Sequence, residues 1–190
     1  LPALLEQERE CHSGLWHATF SELYEEFCEL DKRIKVYEAR LKVIAHGNEH
    51  CKRLLAVPGI GVLTATALYA AVGDPAVFTN GRQFAAWLGL TPRQHSTGGK
   101  TSLGGISKRG DSYIRKLLVQ GGRSMSIAAS HKNKREHTLQ YTDQWLLKLT
   151  ERKGSNRAAV AMANKTARRA WVVLMGKEFK QPEELLALAA

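Results

Sequence analysis

Trp16, Phe20, Leu23, Phe27, Leu30, Ile34, Tyr37, Leu41 and Ile44 recur at alternating spacings of four and three residues, separated mainly by charged and polar positions. This is an a/d seam of four heptads with no proline in it, and it predicts a single helix of about 30 residues or more. One isolated helix cannot bury such a stripe, so the seam calls for a second protomer, a returning helix or a further part of the chain. Aromatic residues at four seam positions argue against an ideal two-stranded zipper. His46, Gly47 and Asn48 supply the stop.

Shorter patterns follow. Residues 51–57 predict a short helix, Pro58-Gly59-Ile60-Gly61 a tight turn, and residues 63–72 an alanine-rich helix in which Thr64 and Thr66 allow close packing. Asp74-Pro75 is a break, and residues 81–88 predict a short helix anchored by Phe84, Trp87 and Leu88. Between 89 and 110, six glycines and many Ser/Thr residues replace any amphipathic run. That predicts an irregular or hairpin-like loop, of a length that usually marks function. Asp111 or Ser112 suits the cap of a helix with Ile114, Leu117, Leu118, Met125 and Ile127 inward and Arg115, Lys116 and Arg123 outward. Gly121-Gly122 would let another element approach it closely. Residues 132–135 read as a basic break. Residues 139–149 read as a helix with Trp145, Leu146 and Leu149 on one face, ended by Gly154, and 156–175 as an alanine-rich helix with Trp171, Val172 and Leu174 near its end.

The expected fold is therefore mainly α: a long N-terminal coiled-coil helix, then a compact helical domain with a helix-hairpin-helix-like element and a Gly-rich basic loop. The expected organisation is 1–47 for the coiled coil, 48–180 for the helical domain and 181–190 for a C-terminal tail.

A length of 190 residues suits one or two domains, and 44% hydrophobic with 24% charged residues is ordinary for a folded protein. No apolar run approaches a membrane span, and no secretory signal is apparent. The sequence opens Leu1-Pro2, which reads as a missing start residue or a piece of a longer chain. Cys11, Cys28 and Cys51 form no Cys-x-x-Cys pair, so free thiols in a reducing compartment are expected and no cysteine metal site is supported.

Dividing the charge changes the picture. Residues 1–47 carry nine acids against six bases, whereas residues 81–135 carry 11 bases against the single acid Asp111, a net +10. Such a concentration points to a polyanionic partner.

Two features could meet that partner. Leu54 followed by Pro58-Gly59-Ile60-Gly61 has the form of a helix-hairpin-helix, whose second helix start can hold a phosphate on backbone amides. Gly59, Gly61, Val62 and Thr64 would then lie near a DNA backbone, although the same turn also occurs as a plain αα-corner. In the loop Thr91-Pro92-Arg93-Gln94-His95-Ser96-Thr97-Gly98-Gly99-Lys100, the nucleotide P-loop pattern is absent. Ser96, Thr97, Thr101, Ser102 and Ser107 are all candidate nucleophiles, and residue chemistry leaves the choice open. A serine attacking a phosphate needs a base or metal to activate it and cations to take up charge. Arg93, Lys100 and Arg109 suit the second need. Asp111 is a weak base candidate because it suits a helix cap, and His95 adjoins Ser96 without necessarily facing it. A phosphate-binding loop that makes no bonds fits the same residues. Two-metal chemistry needs converging carboxylates, and the acids cluster on the first helix and the tail while the basic region is almost empty of them, so no metal site is expected in this chain.

The ordered motifs Leu54-Leu55-Ala56-Val57-Pro58-Gly59-Ile60-Gly61, Phe84-Ala85-Ala86-Trp87-Leu88-Gly89-Leu90-Thr91-Pro92-Arg93, Gly98-Gly99-Lys100 and Ile106-Ser107-Lys108-Arg109-Gly110-Asp111 resemble the C-terminal transposase domain of Piv-related bacterial insertion-sequence transposases. Several of these are RNA-guided bridge recombinases, and the long first helix resembles their coiled-coil linker. The resemblance implies that Ser96 is the nucleophile forming a phosphoserine link to DNA, with Thr97 the nearest rival. It implies a composite active site assembled between subunits with DNA and a structured guide RNA, completed by an N-terminal RuvC-like domain whose Asp/Glu/Asp/Asp set binds Mg2+. That domain is absent here, so the chain alone is expected to be inactive. The expected DNA contacts are Gly59, Gly61, Val62, Thr64, Arg93, Lys100, Lys108, Arg109 and Arg115. Oligomerisation through the 16–44 heptads, no membrane contact, and a bacterial cytoplasmic, nucleoid-associated location complete the expectation. A non-catalytic helix-hairpin-helix nucleic-acid-binding domain is the alternative from another class, and a plain oligomerisation module the third.

Overall fold

Asn48 ends one helix and begins another. Its backbone is extended (φ −112°, ψ 122°) and its Oδ1 accepts from the Cys51 amide at 3.1 Å, capping the helix that follows. In this computed structural model, which describes residues 14–178, helix α1 runs Gly14–Gly47 before that cap and α2 runs Glu49–Leu55 after it. Two compact units divide between Val43 and Ile44. Cys11 and the expected tail at 181–190 lie outside the described residues.

Along α1 the seam residues are exposed, except for half-buried Leu41. Phe27 at 65% and Trp16 at 59% have no covering element. The helix predicted by the heptads is present, and its apolar stripe is open in the single chain.

The second unit is built on helices α2, α3 (Val62–Ala71), α4 (Gly81–Trp87), α5 (Ser112–Lys134), α6 (Tyr141–Lys153) and α7 (Ser155–Leu174). Leu54, Leu68, Phe84, Leu88, Leu90, Ile114 and Leu118 form its centre, closed by Ala163, Ala167 and Ala170 of α7. Those alanines recur at helical spacing, so α7 offers a flat face that its neighbours can approach closely. Trp171 Nε1 donates to the Pro75 carbonyl at 3.1 Å and ties the short 3-10 turn Pro75–Val77 to α7.

The closest contacts involve glycine. A Cβ on Gly121 of α5 would lie 2.1 Å from the Gly59 carbonyl oxygen, and one on Gly122 would lie 2.4 Å from that of Ala159. The glycine pair thus seats the Pro58-Gly59-Ile60-Gly61 turn on one side of α5 and α7 on the other. Gly59 itself has φ +88°, a region that disfavours any side chain.

The mainly α expectation holds: seven α-helices and one two-stranded sheet occur among the described residues. Several details differ. Residues 89–110 are an ordered neck and an antiparallel hairpin, β1 (Pro92–Thr97) with β2 (Lys100–Ile106), rather than an irregular loop. Residues 132–134 continue α5 instead of breaking it, because Lys132 pairs with Asp143 at 2.8 Å and holds the last turn against α6. Ile127, placed inward by periodicity, is 58% exposed, since the core side of α5 there passes through Gly122 and Ala129.

Gly→Ala inside a helix usually stabilises by roughly 0.5–1 kcal/mol. Gly121→Ala and Gly122→Ala should reverse that sign and destabilise by about 1–3 kcal/mol through overpacking. Gly73→Ala, which meets nothing within 4 Å, should be nearly neutral. Chemical-denaturation midpoints of the three variants check this, and neutral Gly121→Ala would contradict the packing.

Candidate nucleic-acid interface

The hairpin is held at its neck and free along its length. Ser107 N donates to the Thr91 carbonyl at 2.8 Å, Lys108 N to Gly89 at 3.1 Å and Leu90 N to Ala85 at 3.0 Å. Gly89 (φ +70°) and Gly110 (φ +102°) sit where the two passes of chain touch. A Cβ on Gly110 would lie 1.8 Å from the Trp87 carbonyl oxygen. Arg115 closes the same neck, with Nη1 donating to the Leu88 carbonyl at 3.1 Å and to Gly110 and Asp111 at 3.4 Å each. Asn164 of α7 donates to the Leu90 carbonyl at 3.1 Å. Asp111 accepts from the Ile114 amide at 2.9 Å, so the carboxylate nearest to the loop in sequence is engaged as the cap of α5.

Beyond the neck, Gly98 and Gly99 form the turn, both at positive φ, as a two-residue type I′ hairpin requires. Ser96 pairs with Thr101, and His95 with Ser102. Strand alternation then puts Gln94, Ser96, Thr101 and Leu103 on one face, and Arg93, His95, Thr97, Lys100 and Ser102 on the other. His95 and Ser96 therefore point apart. The Ser96 Oγ instead accepts from Gln94 Nε2 at 2.8 Å. Arg93 and Lys100, expected to flank the serine, belong to the opposite face.

The Ser96 face includes Leu103, and Leu103 lines a cleft of about 1100 Å3 between the hairpin and α7. Its apolar wall comprises Leu90, Pro92, Ile106, Trp145, Val160 and Ala161; its cations are Lys153, Arg157, Lys165 and Arg168. Lys165 Nζ lies 4.5 Å from the Trp145 ring centre. A separate hollow of about 300 Å3 shares Ile106 and Val160 with the cleft and is lined by Lys108, Arg115, Lys116 and Arg123. Arg123 links the two walls by donating to Asn156 Oδ1 at 3.1 Å. Neither lining contains a carboxylate. Positive groups gathered without acids on a concave surface focus the field outward and favour an anionic ligand.

The helix-hairpin-helix residues divide. Gly61 is exposed and α3 begins on it without a side-chain cap, which leaves first-turn amides for an anion. Val62 is half-buried. Gly59 packs on α5, as described above, and Thr64 is buried at 7%. The face of α3 that carries Thr64 is the one the core covers. Lys108 and Arg109 are exposed at the hairpin exit, Lys108 in the left-handed region at φ 56°. Burial raises the pKa of the Cys51 thiol, which packs as a small apolar group. No cluster of three or more His, Cys, Asp or Glu side chains able to hold a metal occurs among the described residues, and no described helix is long and apolar enough to cross a membrane.

The cations of the cleft are not evident from the basic stretch at 81–135, because most of them stand in a separate, alanine-rich helix. Residues 152–177 contain seven bases and no acid, the same signal in an alanine-rich setting.

Residues 51–139 match the family model described as the Transposase IS116/IS110/IS902 family. The chain is 44% identical over 161 residues to a probable family 20 transposase of Pseudomonas aeruginosa, covering 85% of this chain and 46% of that protein. It is 41% identical over 178 residues to the transposase for insertion sequence element IS1111A of Coxiella burnetii, covering 94% and 47% respectively. A transposase for insertion sequence element IS1328 of Yersinia enterocolitica is 41% identical over 151 residues, with 80% and 43% covered. The chain spans about half the length of the curated relatives it matches.

Arg115→Ala should cost about 1–2 kcal/mol of stability through the lost neck hydrogen bonds. Its outward neighbour Lys116→Ala should stay within roughly 0.5 kcal/mol. Thermal unfolding distinguishes them, and equal effects would remove the structural role assigned to Arg115.

Proposed function

We propose that this chain, whose residues 51–139 match the IS116/IS110/IS902 transposase family model, is the DNA-binding, nucleophile-bearing part of a longer insertion-sequence transposase of that family. The observation that carries the reading is the pair of adjacent, carboxylate-free cationic clefts beside a hairpin whose Leu103-bearing face also bears Ser96. Duplex DNA lies along the basic surface, its phosphates met by Arg157, Arg168, Lys108 and Lys116 and by the open amides at Gly61 and Val62. Arg93, Lys100 and Arg109 extend the contact along the other face of the hairpin and its exit.

Ser96 Oγ attacks a phosphorus atom of the DNA backbone. The Oγ–P bond forms, a P–O bond to the neighbouring sugar breaks, the serine proton leaves to a base, and the departing sugar oxygen takes up a proton. The cations of the cleft offset charge developing on the phosphoryl oxygens. Gln94, by donating to Oγ, leaves the hydroxyl proton directed away from itself. Among the described residues, the two bases nearest in sequence are not turned to it: His95 is on the other face and Asp111 caps α5. No cluster of acids able to hold Mg2+ occurs among the described residues, and the reading assigns the metal, which would activate the nucleophile and neutralise phosphoryl charge, to a RuvC-like domain of the whole protein. The chain alone is inactive in this reading. A structured guide RNA and a second protomer, paired through the open seam of α1, complete the assembly. It works in the bacterial cytoplasm, on the nucleoid.

The missing base beside Ser96 equally favours a second reading, a non-catalytic nucleic-acid-binding domain, and one experiment separates the two. Whole transposase, guide RNA, target DNA and Mg2+ should yield a covalent protein–DNA adduct that Ser96→Ala abolishes and Thr97→Ala retains. An adduct surviving Ser96→Ala would overturn the nucleophile, and none from the wild-type protein under recombining conditions would favour pure binding. The 190-residue chain should bind duplex DNA with an affinity that falls as salt rises, by a logarithmic slope of roughly −0.9 per phosphate contact. Arg157→Ala and Arg168→Ala should each shallow that slope by about one contact, and a slope unchanged in both would remove α7 from the interface.

A further inference from the structure

Duplex backbone binding does not account for the apolar wall of the larger cleft. A phosphate-tracking surface needs cations on a polar ground. This cleft instead places Leu103, Ile106, Trp145 and Val160 below a rim of Arg157 and Arg168. Leu103 is 64% exposed on the hairpin, a position with nothing of its own fold to pack on. Stacking in a duplex hides the base faces, so that duplex DNA offers such a wall only thymine methyl groups and sugar edges. An unpaired strand does: its bases present apolar faces while its phosphates remain within reach of cations alongside. The volume, about 1100 Å3, is at the upper end of a ligand pocket and accommodates more than one nucleotide.

We propose that the cleft between the hairpin and α7 binds a short unpaired segment of the DNA strand, with bases against Leu103, Ile106 and Trp145 and phosphates on Arg157 and Arg168. The assignment rests on the DNA-binding reading above and adds to it the form of the substrate: the strand is locally opened where the hairpin meets it. Charge complementarity selects the occupant, since the cleft lining contains four cations and no acid. The face of the hairpin that Leu103 shares with Ser96 would then meet an unstacked strand, whose phosphodiester bonds are accessible from sides that a duplex covers.

Leu103→Asn tests this without altering charge, on an exposed strand position where folding is not at stake. Binding of the 190-residue chain is measured by fluorescence anisotropy to a labelled 12-nucleotide single-stranded DNA, to the same sequence as duplex, and to the RNA equivalent. The expected result is a loss of about five-fold or more in single-stranded DNA affinity, the lower end for one stacked base, with duplex affinity unchanged within about two-fold. Arg157→Ala should weaken both. Equal effects of Leu103→Asn on single strand and duplex, or none on either, would overturn the proposal while leaving salt-dependent duplex binding, and hence the function, intact. A loss confined to the RNA would overturn the DNA assignment. Absence of any nucleic-acid binding by the wild-type chain would overturn the function and this inference together.

Discussion

The second unit depends on the approach of three backbones at Gly121 and Gly122. On one side the carbonyl of Gly59 sits where a Gly121 side chain would be, and on the other the carbonyl of Ala159 does the same to Gly122. One helix of the domain is thereby clamped between a turn and another helix at distances that no residue except glycine allows. The cost is intrinsic: two adjacent glycines lower helix propensity by about 1 kcal/mol each. Burial of Leu118 and Ala129 on α5, and of Ala158, Ala159 and Ala163 on α7, offsets it. Since Val160 is the neighbour of Ala159 and lines both hollows, the clamp also fixes the floor of the basic surface.

A second constraint acts on the hairpin. Every residue of β1 and all but the last of β2 are exposed, so no hydrophobic burial keeps the strands in place. Two-stranded ribbons of this kind are marginal by themselves. What positions them is the neck, where Gly89 and Gly110 let the two passes touch and Arg115 gathers three carbonyls. The fixed point is therefore the base of the hairpin, while its Ser96 end is exposed. An arginine that sequence reasoning assigns to DNA is in this way occupied with the fold, although its side chain still lines the smaller hollow.

The sequence made the helices legible because hydrophobic periodicity is a local property. The heptads of α1, the Asn48 stop and the anchors Phe84 and Leu88 could all be placed from spacing alone, and Gly121-Gly122 could be recognised as a point of approach. The hairpin was less legible: its strands have no apolar alternation, since neither face is buried. Only Gly98-Gly99 signals it, and a glycine pair is equally at home in a loop. Separation of His95 from Ser96 followed once the register was known. The register comes from the turn and the bulge near Gly104 and Gly105, not from side-chain chemistry. The capping role of Asp111 was anticipated, and with it the lack of a base, but the choice of Ser96 over its hydroxyl neighbours came from family resemblance rather than geometry.

The α7 cations were harder to read for a different reason. Arg157, Lys165 and Arg168 belong to an acid-free basic stretch, but they stand in a helix whose many alanines make it read first as a packing element. Helical spacing puts positions 157, 160, 161, 164, 165 and 168 on one side, so residues that look sparse in sequence become a single wall. That wall works only because the opposite side of α7 is alanine and packs flat on the core, bringing the exposed side within reach of the hairpin. Small residues on one face and cations on the other are two parts of one arrangement: the first sets the distance across the cleft and the second sets its charge. A wider separation would leave the cations as solvated side chains, and a bulkier inner face would push α7 away from Leu90 and break the Asn164 bond to it. The concentration of positive charge on this surface is thus a consequence of close packing beneath it, not of the number of basic residues in the chain.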